Sequence, residues 1–376
     1  MKQDIILTVL AVFILLLPAC SPATVPTPDA PATTAAATAT AAAQAAQEAT
    51  LFPLAEPGPY PVGWRTYTFQ DASRENRRVR ITIWYPAGAG AEAGGSPVEN
   101  AEPDFSAAPY PLLLSSTKVA RIFAPYLVSR GFTWASVNLI DTYMEMEEQM
   151  YEQPLDILFA LEMAASNPEG LEGMIDSDHA GAIGYSFDGY NALAMSGARI
   201  DPGFYLSQCK NPEAKKPFSS FSCKPARDWD TFMAGAGEPL TTSEDGLWQP
   251  LTDERIRAVM PMACEGWWLF GEKGLAAVDR PILFLDGTVD ELYLENAKIF
   301  EAVGSQEKGL VSFIGKGHMM IYETQYIARM AHFAAAFFGV YLQGQEDLAQ
   351  YFSEDFVDRH IDIHWGVYRG VHIPKE

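Results

Sequence analysis

Short apolar runs alternate with helix-like stretches along most of this chain, and this alternation is the feature that most restricts its fold. The apolar runs cover residues 77–86, 111–116, 132–138, 179–186, 256–263, 281–287 and 310–315. All but the first are apolar almost throughout, as parallel strands are when both of their faces are covered. Helix-like stretches separate most of them, at 120–131, 152–167, 187–198, 291–303 and 320–342. The pattern predicts an α/β fold with a mostly parallel central sheet and helices on both faces.

One segment interrupts the alternation. Residues 200–254 are rich in Pro, Gly, Ser and Asp and are too long for a simple connection between two elements. We expect them to form a cap-like insertion over one end of the sheet. The predicted boundaries are a signal peptide at 1–19, a tether at 20–55, the α/β domain with its insertion at 56–345, and a C-terminal extension at 346–376.

The N-terminus resembles an export signal. Lys2 precedes an apolar run from Ile5 to Leu17 that is too short to span a bilayer. The run ends in Leu-Pro-Ala-Cys, which resembles a bacterial lipobox and predicts that Cys20 is lipidated. An ordinary signal peptide cleaved nearby is the alternative. Residues 21–50 hold no aromatic residue, so we expect a tether that carries the domain outside the cytoplasm on a bacterial membrane.

The net charge argues against one class of partner. The chain carries a formal net charge of −22 at pH 7. Binding to nucleic acid requires a basic surface that neutralises phosphates. We therefore expect no nucleic acid partner.

The cysteines are consistent with export. Cys209 and Cys223 flank a short loop, and in an oxidising compartment we expect them to form a disulfide. Cys264 follows an apolar run and is expected to be a buried free thiol. No Cys-x-x-Cys spacing supports a metal site, and we expect none.

Two other features leave alternatives open. Trp267 and Trp268 follow an apolar run near the expected active-site end of the sheet, where they could line a substrate pocket or simply belong to the core. His360, Asp362 and His364 would share one face of a strand, a spacing that could hold a metal. The solvated face of an edge strand is the interpretation that we favour for them.

Residues 184–188 read Gly-Tyr-Ser-Phe-Asp, one residue short of the Gly-x-Ser-x-Gly pattern of a nucleophile elbow. Ser186 ends an apolar run and a helical pattern follows at once, which is the strand–turn–helix setting of such a serine. Asp188 stands where the second glycine is usual, with Gly189 behind it. An ordinary serine in a strand-to-helix turn is the alternative.

A nucleophilic serine needs a base and a carboxylate that orients the base. Asp290 follows the apolar run 281–287, and His318 lies in a loop after the next run. Asp286 is the rival acid, but it lies inside its run and is harder to present at the end of the sheet. The other five histidines lie at the wrong end of the nucleophile strand, within a helix or in the C-terminal tail: His179, His332, His360, His364 and His372.

Several segments together resemble a known family. They are GPYPVGWRTYTFQDASRENRRVRITIWYPA, YPLLLSST, APYLVSRGF, GYSFDG, PILFLDGTVDE and KGHMM. They are similar to secreted platelet-activating-factor acetylhydrolases and dienelactone-hydrolase-like esterases of the α/β-hydrolase superfamily, with a secondary likeness to cutinase-like polyester hydrolases. The similarity extends over residues 57–343. It implies an α/β-hydrolase fold and hydrolysis of small-molecule, lipid or polymer esters through an acyl-enzyme, without a cofactor.

The resemblance also implies a role for each site residue. Ser186 would be the nucleophile, His318 the general base and then the general acid, and Asp290 the orienting carboxylate. The backbone N–H groups of Phe187 and Val119 would form the oxyanion hole.

Two glycines that are usual in the family are replaced here by charged residues. Lys118 stands in the oxyanion loop and Asp188 in the elbow. We hypothesise that they form an ion pair; the alternative is that both side chains point to solvent. The two replacements also leave open a degenerate α/β-hydrolase lipoprotein that binds a ligand or acts as a scaffold. A peptidase or another acyl transferase is a further alternative.

Overall fold

The fold is seen in a computed structural model of the chain. It describes residues 48, 50–88, 90–138, 147–210 and 223–370. The predicted signal peptide, Cys20, nearly all of the tether and His372 lie outside the described residues. No helix within these ranges is long and apolar enough to cross a membrane.

A mostly parallel mixed sheet of ten strands lies at the centre of the unit that begins at residue 49. In chain order its strands are β1 (Val62–Asp71), β2 (Arg77–Pro86), β3 (Val98–Glu99), β4 (Tyr110–Ser116), β5 (Thr133–Val137), β6 (Ile175–Tyr185), β7 (Ile256–Met262), β8 (Ile282–Gly287), β9 (Lys308–Phe313) and β10 (Ile363–Trp365). Across the sheet they follow the order β10-β9-β8-β7-β6-β4-β5-β2-β1-β3. The block from β9 to β5 is parallel, and β10 and β2 pair with its two edges in antiparallel fashion. The predicted α/β fold is confirmed at this level.

Helices flank the sheet on both faces. They are α1 (Thr117–Leu127), α2 (Gln149–Ala165), α3 (Phe187–Met195), α4 (Pro202–Lys210), α5 (Trp229–Ala236), α6 (Glu238–Thr241), α7 (Trp267–Leu275), α8 (Tyr293–Ala302), α9 (Thr324–Gln343) and α10 (Glu354–Val357). Short 3₁₀ turns lie at Val128–Arg130, Pro225–Arg227, His318–Tyr322 and Glu346–Phe352.

The central strand β4 shows why the apolar runs belong to buried parallel strands. Leu113 packs in an apolar cluster with residues of α1 and α9. Its neighbours Leu112 and Leu114 pack in a second cluster with residues of α2 and α3. Successive side chains of a strand point to opposite faces, so a strand that is covered on both sides is apolar at most positions.

The segment 200–254 contains α4, α5 and α6 between β6 and β7. Four of its aromatic rings contact one another, namely Tyr205, Trp229, Phe232 and Trp248. They belong to the same apolar cluster as Phe187 and Tyr190 of α3. The predicted disulfide between Cys209 and Cys223 is present, with Cα atoms 5.4 Å apart. The segment is therefore packed on the helix that follows Ser186.

Candidate active site

Ser186 lies at the junction of β6 and α3 in a backbone conformation that few residues adopt. Its φ is 63° and its ψ is −124°, which is a strained position for a residue with a side chain. Its N–H donates to the carbonyl oxygen of Met262 on the neighbouring strand, at 2.9 Å. The turn therefore places the Ser186 hydroxyl at the carboxyl end of β6.

Two glycines make this turn sterically possible. A Cβ atom on Gly184 would fall 1.9 Å from the carbonyl oxygen of Asp188. One on Gly189 would fall 2.7 Å from Cys264 Cβ and 2.8 Å from the Met262 oxygen. Contacts below 3 Å force atoms apart, so both positions require glycine. The close approach of helix to strand thus occurs at Gly189, and position 188 can hold a larger side chain.

The structure brings Ser186, His318 and Asp290 together. His318 Nε2 lies 2.9 Å from Ser186 Oγ, and His318 Nδ1 lies 2.8 Å from Asp290 Oδ2. Asp290 follows β8 and His318 follows β9, so both side chains lie at the carboxyl ends of their strands. Asp290 Oδ1 accepts a further hydrogen bond from the Leu292 N–H at 2.8 Å. This geometry lets Nδ1–H donate to the carboxylate while Nε2 accepts the serine proton.

The charge of Asp290 acts on His318. Asp290 is only 2% exposed, so its interaction with the imidazole is weakly screened. Burial of the ring lowers the pKa of His318, but the hydrogen bond and the negative charge of Asp290 outweigh this effect. The pKa of His318 is raised above its ordinary value.

Asp286, the rival acid, lies in β8 and is fully buried. Its Oδ1 accepts the N–H of Gly287 at 2.7 Å. Burial and the nearby charge of Asp290 raise the pKa of Asp286 well above its ordinary value. Such an environment disfavours the ionised form of Asp286, and the His318 ring donates its Nδ1–H to Asp290 instead.

A cavity of about 250 Å³ opens beside Ser186 and His318. Its lining, as far as the described residues show it, consists of Lys118, Val119, Tyr185, Ser186, Glu265, Leu292, His318, Met319, Ile321 and Tyr322. Met319 and Tyr322 are 65% and 61% exposed, so they form an apolar part of the cavity's mouth. The walls are mainly apolar, as they are in sites that bind small organic molecules.

The two predicted oxyanion donors lie at the starts of two helices. Phe187 is the first residue of α3, directly after Ser186, and Val119 lies in the first turn of α1. The Val119 N–H points at Ser116 Oγ at 3.5 Å. This distance is at the long limit of a hydrogen bond, so the N–H is weakly held.

The side chain of Asp188 does not point to solvent. The alternative in which Lys118 and Asp188 both point to solvent is therefore wrong for Asp188. Its side chain is buried and accepts hydrogen bonds from the Ser116 hydroxyl and from Asn191 Nδ2. The ion pair with Lys118 stays a prediction. The sequence did not reveal Ser116 as the partner of Asp188, because that contact depends on how α1 and α3 leave the sheet.

The two tryptophans after β7 are partly buried and pack against the core. Trp267 and Trp268 pack against the cluster that contains Tyr190 and Tyr205 and are not among the cavity-lining residues. Of the two alternatives for these tryptophans, the structure therefore favours packing on the core over lining the pocket. Glu265, which is 3% exposed, lies on the cavity wall instead. It lies three residues after the end of β7, the strand beside β6, and this place could have revealed it in the sequence.

The remaining residues that the sequence singled out are the histidines near the C-terminus and Cys264. Within the described ranges, no group of three or more His, Cys, Asp or Glu residues could hold a metal ion. His360 Nδ1 lies 2.9 Å from the carbonyl oxygen of Phe356, and its ring packs on Phe52. His364 lies on the edge strand β10. Cys264 is buried, its Sγ lies 2.8 Å from Asn296 Oδ1, and burial raises the pKa of its thiol.

No family model matches the chain, and no curated protein matches it either.

Proposed function

We propose that this chain is a serine esterase of the α/β-hydrolase superfamily. The observation that carries the proposal is the unbroken chain of contacts from Asp290 through His318 to Ser186. It ends at a strained strand-to-helix turn that opens into a cavity. A serine in an ordinary turn would need neither a base at 2.9 Å nor a buried carboxylate behind that base.

The proposed reaction proceeds through an acyl-enzyme. Ser186 Oγ attacks the ester carbonyl carbon as its proton passes to His318 Nε2, and Asp290 stabilises the imidazolium that forms. The ester C–O bond then breaks, and His318 returns the proton to the departing alkoxide. A water molecule attacks the acyl-enzyme with His318 again as base, which releases the carboxylic acid and restores Ser186.

The size of the cavity favours small acyl groups. A volume of about 250 Å³ lies slightly below the usual range for sites that enclose whole drug-sized ligands. We propose that one short portion of the ester enters it, while a longer portion extends past Met319 and Tyr322. Short-chain esters are the first substrates to test, followed by phospholipid and polyester substrates.

We further propose that the domain works outside the cytoplasm on a lipid anchor at Cys20. The Cys209–Cys223 disulfide supports this, since such bonds persist in oxidising compartments. Fatty-acid labelling of the full chain should be lost in Cys20→Ala. Labelling that persists would contradict the anchor.

Active-site labelling tests the esterase directly. A fluorophosphonate probe should label the wild-type domain and fail to label Ser186→Ala, and the variant should lose turnover of p-nitrophenyl esters by several orders of magnitude. Ser207→Ala, a change at an exposed serine on α4, is the matched control and should behave as wild type. Labelling of another serine would contradict the assignment of Ser186. A wild-type domain that is neither labelled nor active would favour a binding or scaffold protein.

A further inference from the structure

Asp188 connects two segments that border the cavity. It is the second residue of α3, directly behind the Ser186 turn, and is 9% exposed. One carboxylate oxygen accepts the hydroxyl of Ser116, the last residue of β4. The other accepts Asn191 Nδ2 at 3.1 Å. Asp188, directly behind the turn that contains Ser186, is therefore hydrogen-bonded to the residue directly before α1.

Ser116 transmits this contact to α1. Its backbone angles are extended, and its side chain caps the helix by accepting the Val119 N–H. A hydroxyl has one proton, and here that proton is directed to Asp188. The lone pairs of Ser116 Oγ must then face the first turn of α1, where Lys118 and Val119 border the cavity. The orientation of this turn depends on the carboxylate.

The surrounding residues stabilise a buried charge at this position. Asn191 also lies 3.1 Å from Gln153 Oε1, so its amide is held from α2 and directed at Asp188. Ser116, Asn191 and Gln153 are all buried. Position 188 also lies in the first turn of α3, where the helix dipole favours a negative charge. Hydrogen bonds from polar groups compensate the cost of burying a carboxylate.

We propose that Asp188 is a positioning residue for the oxyanion hole. Through Ser116, its carboxylate fixes the first turn of α1 so that the Val119 N–H and the Phe187 N–H approach the reacting oxygen from two sides. The Val119 N–H is held only weakly by Ser116, so it can also donate to the oxyanion in the transition state while Ser116 still caps the helix. The kinetic consequence rests on the proposed esterase function, whereas the structural consequence does not.

Steady-state kinetics test the catalytic part. Asp188→Ala and Ser116→Ala should each lower kcat by about tenfold or more with little change in KM, because the donors act on the transition state. The double variant should be no worse than either single variant, since both changes remove one contact. Ser129→Ala is the matched control. It removes a buried hydroxyl next to the other end of α1 and should leave kcat unchanged.

Amide hydrogen exchange tests the structural part without any substrate. Exchange in residues 117–122 should become faster in Asp188→Ala and Ser116→Ala, and stay as in wild type in Ser129→Ala. Unchanged exchange in both variants overturns the proposal whether or not the chain is an esterase. In an active wild type, additive losses in kcat, or a higher kcat in Asp188→Ala, also overturn it, the latter because the carboxylate would then oppose the oxyanion. An inactive and unlabelled wild type refutes the esterase function alone, and the exchange result still decides the role of Asp188.

Discussion

Gly189 lies so close to Cys264 that a Cβ atom on the glycine would fall 2.7 Å from the Cys264 Cβ and 2.9 Å from its Cα. Two of the three nearest atoms at this position belong to the backbone, so a flexible side chain cannot move aside. Helix α3 can therefore lie against β7 only if residue 189 has no side chain.

We predict that Gly189→Ala destabilises the fold by about 1–3 kcal/mol, the usual cost of overpacking a core. Denaturant unfolding measures this loss. The control is Gly203→Ala near the start of α4, where the added Cβ finds only Asp201 Oδ1 at 3.4 Å. That change should be neutral or slightly stabilising, because alanine favours helix. Equal effects of the two substitutions would contradict the steric argument.

The raised pKa of His318 predicts the pH dependence of the proposed activity. The neutral imidazole is the base, so kcat/KM should fall as the pH drops through a pKa above the ordinary value of 6.5. Asp290→Asn removes the charge that raises this pKa while burial continues to lower it. The acid limb should then move to lower pH, and activity should fall on the order of 10⁴-fold. A pH–rate profile of both forms measures the shift; an acid limb that stays in place would show that Asp290 does not act on His318.

His332 predicts a loss of stability in acid. The ring is fully buried, and its Nδ1 accepts the Leu54 N–H at 3.0 Å. Burial, followed by the charges of Arg130 and His360, lowers the pKa of His332 to about 3. Below the ordinary histidine pKa of about 6.5 the unfolded chain binds a proton that the folded chain does not. The free energy of unfolding therefore falls by roughly 1.4 kcal/mol for each unit by which the pH is lowered.

Urea unfolding between about pH 4 and pH 6 should show this slope, and in His332→Gln the slope should be shallower by about one proton. Glutamine keeps an acceptor for the Leu54 N–H. An unchanged slope would mean that His332 takes up its proton in the folded state.

The Cys209–Cys223 disulfide should stabilise the segment 200–254. It joins residues 14 positions apart, for which the loop-entropy estimate is about 3 kcal/mol. We expect Cys209→Ser/Cys223→Ser to lower the unfolding free energy by up to that amount and to speed hydrogen exchange in 200–254 before the sheet. Exchange that rises first in the sheet strands would contradict this order of opening.

The sequence predicted the interior of the sheet better than its edges. Strands β4 to β9 were recognisable because burial on both faces favours apolar side chains at most positions. β1 was missed because it lies towards an edge of the sheet, where positions such as Arg65 and Gln70 tolerate polar residues. The start of α1 was placed at residue 120, but Ser116 caps it and it begins at Thr117. A cap depends on a single side chain, and hydrophobic periodicity does not reveal it.

Within the site, the meeting of Ser186, Asp290 and His318 was predictable because each follows a strand of one parallel block. The contact between Ser116 and Asp188 was not predictable, because it depends on the angle at which a helix leaves the sheet. The same reason applies to Trp267 and Trp268, which are partly buried and pack against an apolar cluster.

The candidate site depends on four strands that lie side by side in the sheet, β6, β7, β8 and β9. Ser186, Glu265, Asp290 and His318 each follow one of these four strands. Neighbouring strands are held about 4.8 Å apart by their hydrogen bonds, so the ladder sets the spacing of the strand ends from which the four residues follow. The connection between β6 and β7 includes all of residues 200–254, yet its length does not change the distance between these two strands. That connection can therefore be lengthened or shortened while the strand ends that precede Ser186, Glu265, Asp290 and His318 keep their order in the sheet.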